Sequence, residues 1–253
     1  MPGFASLLAV SAAAAVRVAS LNLCSDEALL SLARPDEIAS LSYLSRDPLE
    51  SLMWRQAQRL PANRGSLEDA LATRPTVVLT MGGGGRATAM IARRLGLRVI
   101  DLPFAASIDD IDRQLTIVAT ALGDPHRADA LRARLRTLRA SPPTHPTEAA
   151  FISGGGQSIA PDGLGAAWLR LAGFAQVGLP GDRLTFEAIA THPPKRLIRS
   201  DYRSNQMSRG VTWWKHPLVT RLAARTIRTD GRAWTCAGAP MIDEIERLRA
   251  APR

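Results

Sequence analysis

Two glutamates stand in matching surroundings in the two halves of the chain. Leu67-Glu68-Asp69-Ala70 precedes Arg74-Pro75 and a β-like run from Val77, and Phe186-Glu187-Ala188-Ile189 precedes Pro193-Pro194 and a β-like run from Arg196. Each Glu falls near the start of a short helical stretch. A carboxylate placed there can complement the helix dipole, or, if exposed, take a bidentate contact from an arginine on a partner. The residues alone leave both roles open.

Other chemistry-bearing residues fall in expected loops. Gly82 to Gly85, followed by Arg86, has the look of an anion-binding turn, and its backbone N–H groups could meet an anionic ligand. It lacks the Gly-Lys-Ser/Thr of a nucleotide P-loop, and no GxGxxG is present. Tyr43, Arg46, Arg64 and Arg86 lie at loop ends of the first half, and Tyr202, Arg203, Trp213, Trp214 and Trp234 in the second half. Arginine pairs with carboxylates or hydroxamates of a chelate, and tyrosine or tryptophan lies against a macrocycle or catechol face. With Gly83 and Gly84 these residues form the candidate ligand set. Trp168, at apolar helical spacing, is expected in a core. His126, His145, His192 and His216 show no metal-ligand spacing. GxSxG, HExxH and Cys–His arrangements are missing, so no catalytic residue and no metal or cofactor site is expected. Asp109, Asp110 and Asp112 read as ordinary capping at a helix start.

The elements that must position these groups alternate. Strands are expected at Arg17 to Leu21, Ile38 to Leu41, Val77 to Thr80 and Arg98 to Leu102. Between them come helices at Ser25 to Leu32 (Ser25 as cap, Asp26 and Glu27 in the first turn), Ser66 to Thr73, and Ala87 to Leu95 with Gly96 as C-cap. Alternation of this kind implies a largely parallel sheet, with ligands beyond the carboxyl ends of its strands. The middle is helical, Ser107 to Leu122 and His126 to Arg139. Three prolines between Ser141 and Thr147 mark a composition break, after which the α/β pattern restarts. Strands are expected at Ala149 to Ile152, Arg196 to Ile198 and Thr226 to Thr229. The helices of this half are expected at Leu164 to Ala172, Phe186 to Thr191 and Met241 to Leu248, and a loop spans Asp201 to Trp214.

Composition narrows the function classes. The net charge is +9, carried almost wholly by arginine and scattered along the chain, so nucleic acid is not the expected partner. The apolar, alanine-rich start to about residue 15 resembles a secretory signal segment, although no Lys or Arg precedes its apolar run. Cys24 and Cys236 could form a disulfide in an exported protein, but two separate thiols, each packed as a small apolar residue, are expected.

Several stretches together resemble a known family. Arg17-Val18-Ala19-Ser20-Leu21-Asn22, Asn63-Arg64-Gly65-Ser66-Leu67-Glu68 and Arg74-Pro75-Thr76-Val77-Val78-Leu79 look like the N-lobe of the helical-backbone solute-binding proteins of ABC importers, with Pro75-Thr76 where that family usually has Pro-Asp. His216-Pro217-Leu218 through Trp234-Thr235-Cys236-Ala237-Gly238-Ala239-Pro240 resembles a bacterial branch of the same family. The resemblance implies an α/β protein of two Rossmann-like lobes joined by a single long linker helix, with the ligand cleft between them. The lobes would be residues 16–123 and 141–253, and the linker 124–140. It further implies a monomer in the periplasm that captures a ferric siderophore or cobalamin and passes it to an inner-membrane permease and ATPase, on which Glu68 and Glu187 dock. The alternatives are a heme carrier, with Tyr43 or Tyr202 as the residue to test, and a chelatase-like enzyme on a similar two-lobed fold.

Overall fold

The computed structural model describes residues 15–82, 86–203 and 206–251. Gly83 and Gly84, and all of the expected signal segment except Ala15, lie outside the described residues.

The N-lobe runs β1 (Val18–Ser20), α1 (Leu23–Leu30), β2 (Ile38–Ser42), α2 (Trp54–Ala57), β3 (Ala62–Asn63), α3 (Leu67–Leu71), β4 (Val77–Met81), α4 (Arg86–Arg94) and β5 (Arg98–Leu102). Two helices follow, α5 (Ile108–Ala121) and α6 (Asp129–Ala140). The C-lobe runs β6 (Thr147–Ile152), α7 (Leu164–Ala172), β7 (Phe174–Gln176), α8 (Phe186–Thr191), β8 (Arg196–Ser200), α9 (Arg209–Trp213), α10 (Pro217–Thr220), β9 (Thr226–Thr229), α11 (Gly231–Cys236) and α12 (Met241–Ala250).

Both sheets are wholly parallel, in the orders β3-β2-β1-β4-β5 and β7-β6-β8-β9. In each, the first strand of the lobe sits centrally and pairs with the strand that follows the glutamate-bearing helix: Val18 is in register with Val77, and Ala149 with Arg196. Central parallel strands are covered on both faces and so read as apolar runs. Val77, Val78 and Leu79 are at most 4% exposed, as are Ala149, Ala150, Phe151 and Ile152. The described residues contain no helix long and apolar enough to cross a membrane.

The lobes are joined by a helical pair. Ile108, Ile111 and Leu115 of α5 pack into the C-lobe core with Phe151, Trp168 and Ile245. Val118 of α5 and the following Leu122 pack into the N-lobe core with Leu29, Leu79 and Leu102. α6 returns. In the turn leading into it, Arg127 pairs with Glu37 of the N-lobe, both nearly buried, and its body seats Leu135 and Leu138 in the C-lobe core. The expected crossing is residues 124–140 alone, but α5 reaches both cores as well. Asp112 takes a bidentate contact from Arg132 at 2.8 and 2.9 Å, and Asp109 pairs with Arg139 at 2.6 Å, so two acids read as capping residues tie α5 to α6. Asp110 does cap, reciprocally with Ser107.

Three local expectations change. The cap of α1 is Asn22, whose Oδ1 accepts from Ser25 N–H at 3.0 Å; Ser25 lies inside the helix with its hydroxyl buried against Ser20. The segment 201–214 contains α9, capped by Ser208. Cys24 and Cys236 form a disulfide, with Cα atoms 5.2 Å apart. They are 212 residues apart in sequence, so no local pattern links them. The fold does so, by bringing the start of α1 in one lobe against the end of α11 in the other.

Candidate functional site

The carboxyl ends of β1, β2, β4 and β5 open on one side of the N-lobe, where parallel sheets bind ligands. Leu21, Cys24, Leu44, Met81, Thr88 and Phe104 line an open cavity of about 460 Å³ there, together with Thr235 of the C-lobe. That volume lies within the range of small-molecule sites. Its most prominent group is Phe104, 71% exposed. The Phe104 ring lies directly on Gly82, where any Cβ would overlap it and where φ is +83°, a conformation suited to glycine. Gly82 thereby lets an aromatic ring stand free in the cavity.

One flank of the lobe boundary is fastened. The Tyr202 hydroxyl donates to Glu50 Oε2 at 2.6 Å, and Arg203 pairs with the other oxygen of the same carboxylate. Glu50 is 6% exposed, so both of its oxygens are satisfied across the boundary. Arg232, held by Asp230 at 2.9 Å, donates to the carbonyls of Pro48 at 2.7 Å and Ser51 at 3.3 Å. A second cavity of about 560 Å³ lies outside this clasp, between Pro48-Leu49 and the arginines 203, 228, 232 and 247 with Asp201 and Asp230. Tyr202 fits only because residue 231 is glycine: a Cβ there would collide with the backbone N and Cβ of Tyr202.

Beneath the cavity, α1 buries two carboxyl groups side by side. Asp26 accepts from the backbone N–H of Ser42 at 3.1 Å and from its hydroxyl, yet burial pushes its pKa up to about 7. Burial likewise pushes Glu27 up to about 8, opposed by a long contact from the Ser51 hydroxyl at 3.4 Å and by Arg232 of the other lobe. Among the described residues, Glu27 Oε2 has no hydrogen-bond partner. A first-turn position favours the charge of both acids, but their burial outweighs the dipole.

The expected ligand set is only partly assembled. Tyr43 is 56% exposed at the end of β2. Arg86 is exposed at the start of α4. Arg46 donates to the Gln58 carbonyl at 2.7 Å, and Arg64 is gripped by Asp69 at 2.6 and 2.9 Å, so both are engaged within the N-lobe. Trp213 and Trp214, 7% and 9% exposed, are core residues of the C-lobe rather than cleft residues. Trp234 packs 4.5 Å from the Phe151 ring, and its indole N–H donates to Thr229 Oγ1 at 2.7 Å. Tyr202 and Arg203 belong to the clasp. Glu50, Arg232 and Phe104 were missed. Only Phe104, directly after Pro103 at the end of an expected strand, carried a legible signal.

Glu68 and Glu187 occupy equivalent places. Each is the second residue of a short helix whose cap, Ser66 or Thr185, accepts from the N–H of the residue that follows the glutamate, at 3.3 and 3.1 Å. Both are exposed. Among the described residues, neither carboxylate has an ion-pair partner.

No protein-family model matches the chain, and no curated protein matches its sequence. Solved structures do match. The periplasmic heme-binding protein HutB of Vibrio cholerae aligns with a TM-score of 0.69 and 18% identity over 93% of this chain and 98% of that one. The periplasmic heme-binding protein RhuT of Roseiflexus sp. RS-1 aligns with a TM-score of 0.66 and 20% identity over 93% and 97%. The periplasmic vitamin B12 binding protein BtuF of Vibrio cholerae aligns with a TM-score of 0.62 and 18% identity over 92% and 94%. The chain has the fold of the periplasmic solute-binding proteins. Its two α/β lobes, helical connection and interlobe cavity are the features of that binding-protein fold. Among the described residues, no group of three or more His, Cys, Asp or Glu side chains could hold a metal ion.

Proposed function

We propose that this chain is the periplasmic solute-binding component of an ABC importer, which captures a metal chelate such as a ferric siderophore, or cobalamin, and delivers it to an inner-membrane permease. The observation that carries the reading is the equivalence of Glu68 and Glu187. Two exposed, unpaired carboxylates on capped helix starts, one per lobe, suit a partner that engages both lobes at once through arginines. Ligand enters the cavity at the strand ends, where Phe104 offers an aromatic face. Helical connection, disulfide and clasp together keep the lobes close, so capture proceeds with small lobe movements.

A heme carrier is the second reading. Tyr43 favours it, because it is exposed and directly precedes Leu44 of the cavity lining, whereas the Tyr202 hydroxyl is taken by Glu50. Titration of the purified protein with cobalamin, heme and several ferric siderophores, followed by tryptophan fluorescence, separates these cargoes. Failure to bind any of them overturns the capture role. Uptake by cells carrying Glu68→Ala with Glu187→Ala tests the delivery role separately, and unchanged uptake would exclude docking through these residues.

A further inference from the structure

The outer face of α4 is unlike the rest of the N-lobe surface. Between Asp69 and Asp101 the chain has no carboxylate; α4 carries Arg86, Arg93 and Arg94, and the start of β5 carries Arg98, all exposed. Among the described residues none of these four guanidinium groups has a hydrogen-bond or ion-pair partner, although most other arginines of the protein are paired. Only Ala92 of the helix is buried, with Thr88 and Ala89 half-buried on the same side. Three large apolar side chains share the outer face with the arginines: Met90, Ile91 and Leu95 are 49%, 47% and 55% exposed. Ile91 and Leu95 stand one turn apart and form a ridge; Arg86, Met90, Arg93 and Arg94 lie beside it.

A purely electrostatic site would need the cations alone, and a protein-core contact would need the apolar ridge alone. Unpaired arginines interleaved with exposed apolar side chains match an interface that is anionic at the surface and apolar just beneath it. We infer that the outer face of α4 adsorbs to anionic phospholipid, with Met90, Ile91 and Leu95 entering the headgroup boundary and the four arginines meeting phosphates. The contact is shallow and reversible, since the helix has nine residues and each basic residue near an anionic bilayer is worth roughly a fivefold change in partitioning. Such adsorption keeps the protein close to a membrane surface. It is independent of the cargo and of the docking glutamates.

Co-sedimentation with vesicles tests this directly. The full chain is expected to bind phosphatidylglycerol-containing vesicles at low salt, to be released by about 0.5 M sodium chloride, and not to bind pure phosphatidylcholine. Arg86→Gln with Arg93→Gln and Arg94→Gln is expected to weaken binding by roughly a hundredfold. Met90→Ser with Ile91→Ser and Leu95→Ser is expected to weaken it while leaving the charge unchanged. Because the whole chain is basic, the control is Arg170→Gln with Arg183→Gln and Arg221→Gln, three exposed C-lobe arginines whose loss changes the net charge equally. Far-UV circular dichroism checks that each variant is folded. No binding to anionic vesicles, equal binding to neutral ones, or an equal loss in the control overturns the proposal. Slower uptake by the α4 variant without any vesicle binding also overturns it, assigning the face to a protein partner.

Discussion

The Tyr202 hydroxyl of the C-lobe lies 2.6 Å from Glu50 Oε2 of the N-lobe, and Arg203 completes the same carboxylate. A nearly buried Glu held by two groups from the opposite lobe is a fastening that opens only by exposing a charge. Glu50→Ala removes both contacts and leaves Tyr202 and Arg203 without their partner. A loss of about 2–3 kcal/mol in urea unfolding is expected, together with a larger radius of gyration in solution scattering. Tyr202→Phe should cost less, about 1–2 kcal/mol. Unchanged dimensions in Glu50→Ala would show that the helices and disulfide hold the lobes without the clasp.

Gly231 supports the same clasp from behind. Gly231→Ala places a methyl against the backbone of Tyr202 and the Ser200 hydroxyl. Overpacking of this kind typically costs about 1–3 kcal/mol. Its effect should be non-additive with Tyr202→Phe, because both act through the position of one side chain. A double-mutant cycle with no coupling would refute the connection.

The Cys24–Cys236 bond closes a loop of 212 residues and joins the lobes covalently. Reduction, or Cys24→Ser with Cys236→Ser, is expected to lower stability by roughly 2–5 kcal/mol and to speed ligand release. Alkylation of the unreduced, denatured protein followed by mass spectrometry should find no free thiol. Labelling of both cysteines would overturn the assignment.

Stability should fall as pH rises from about 4 to 8. Asp26 and Glu27 have folded pKa values raised to about 7 and about 8, whereas in the unfolded chain both ionise near pH 4. Across that window the folded chain holds protons that the unfolded chain has lost, so each group disfavours folding by up to roughly 1.4 kcal/mol per pH unit. Below the unfolded values the penalty is absent, and there other losses begin as Glu37, Asp112 and Asp230, all with lowered pKa, are protonated. Urea unfolding at several pH values measures the slope. Asp26→Asn with Glu27→Gln should flatten it, and an unchanged slope in that variant would exclude these two groups as its source.

Phe104 provides a test of the cavity that leaves the fold alone. Its ring is largely exposed, so Phe104→Ala should shift stability by no more than about 0.5 kcal/mol. Affinity for whichever chelate binds should fall by about tenfold, the value of one aromatic contact. A variant that binds as tightly as the parent would move the ligand away from the β5 end of the cavity.

The local chain determined much of this protein. Short apolar runs marked the inner strands β1, β2, β4, β6 and β8, because central parallel strands need apolar side chains on both faces, and β-branched residues marked the edge strands β5 and β9. Ser66 and Ser107 marked helix starts through hydroxyls that accept backbone N–H groups within four residues. The echo of Glu68 and Glu187 was legible for the same reason, since each belongs to one short segment repeated in each lobe. What only the tertiary structure decided are relationships across the lobe boundary. The Cys24–Cys236 pairing, the Glu50–Tyr202 contact and the reach of Arg232 to Pro48 each join residues more than 150 positions apart, and no periodicity encodes such distances. The same holds for the tryptophans. A Trp in an expected loop can face a ligand or a core, and α9, invisible in a polar stretch, turns Trp213 inward. Burial also reversed the reading of Asp26 and Glu27: position in a helix predicts a favoured charge, but the lobe packed over that helix decides whether water remains to solvate it.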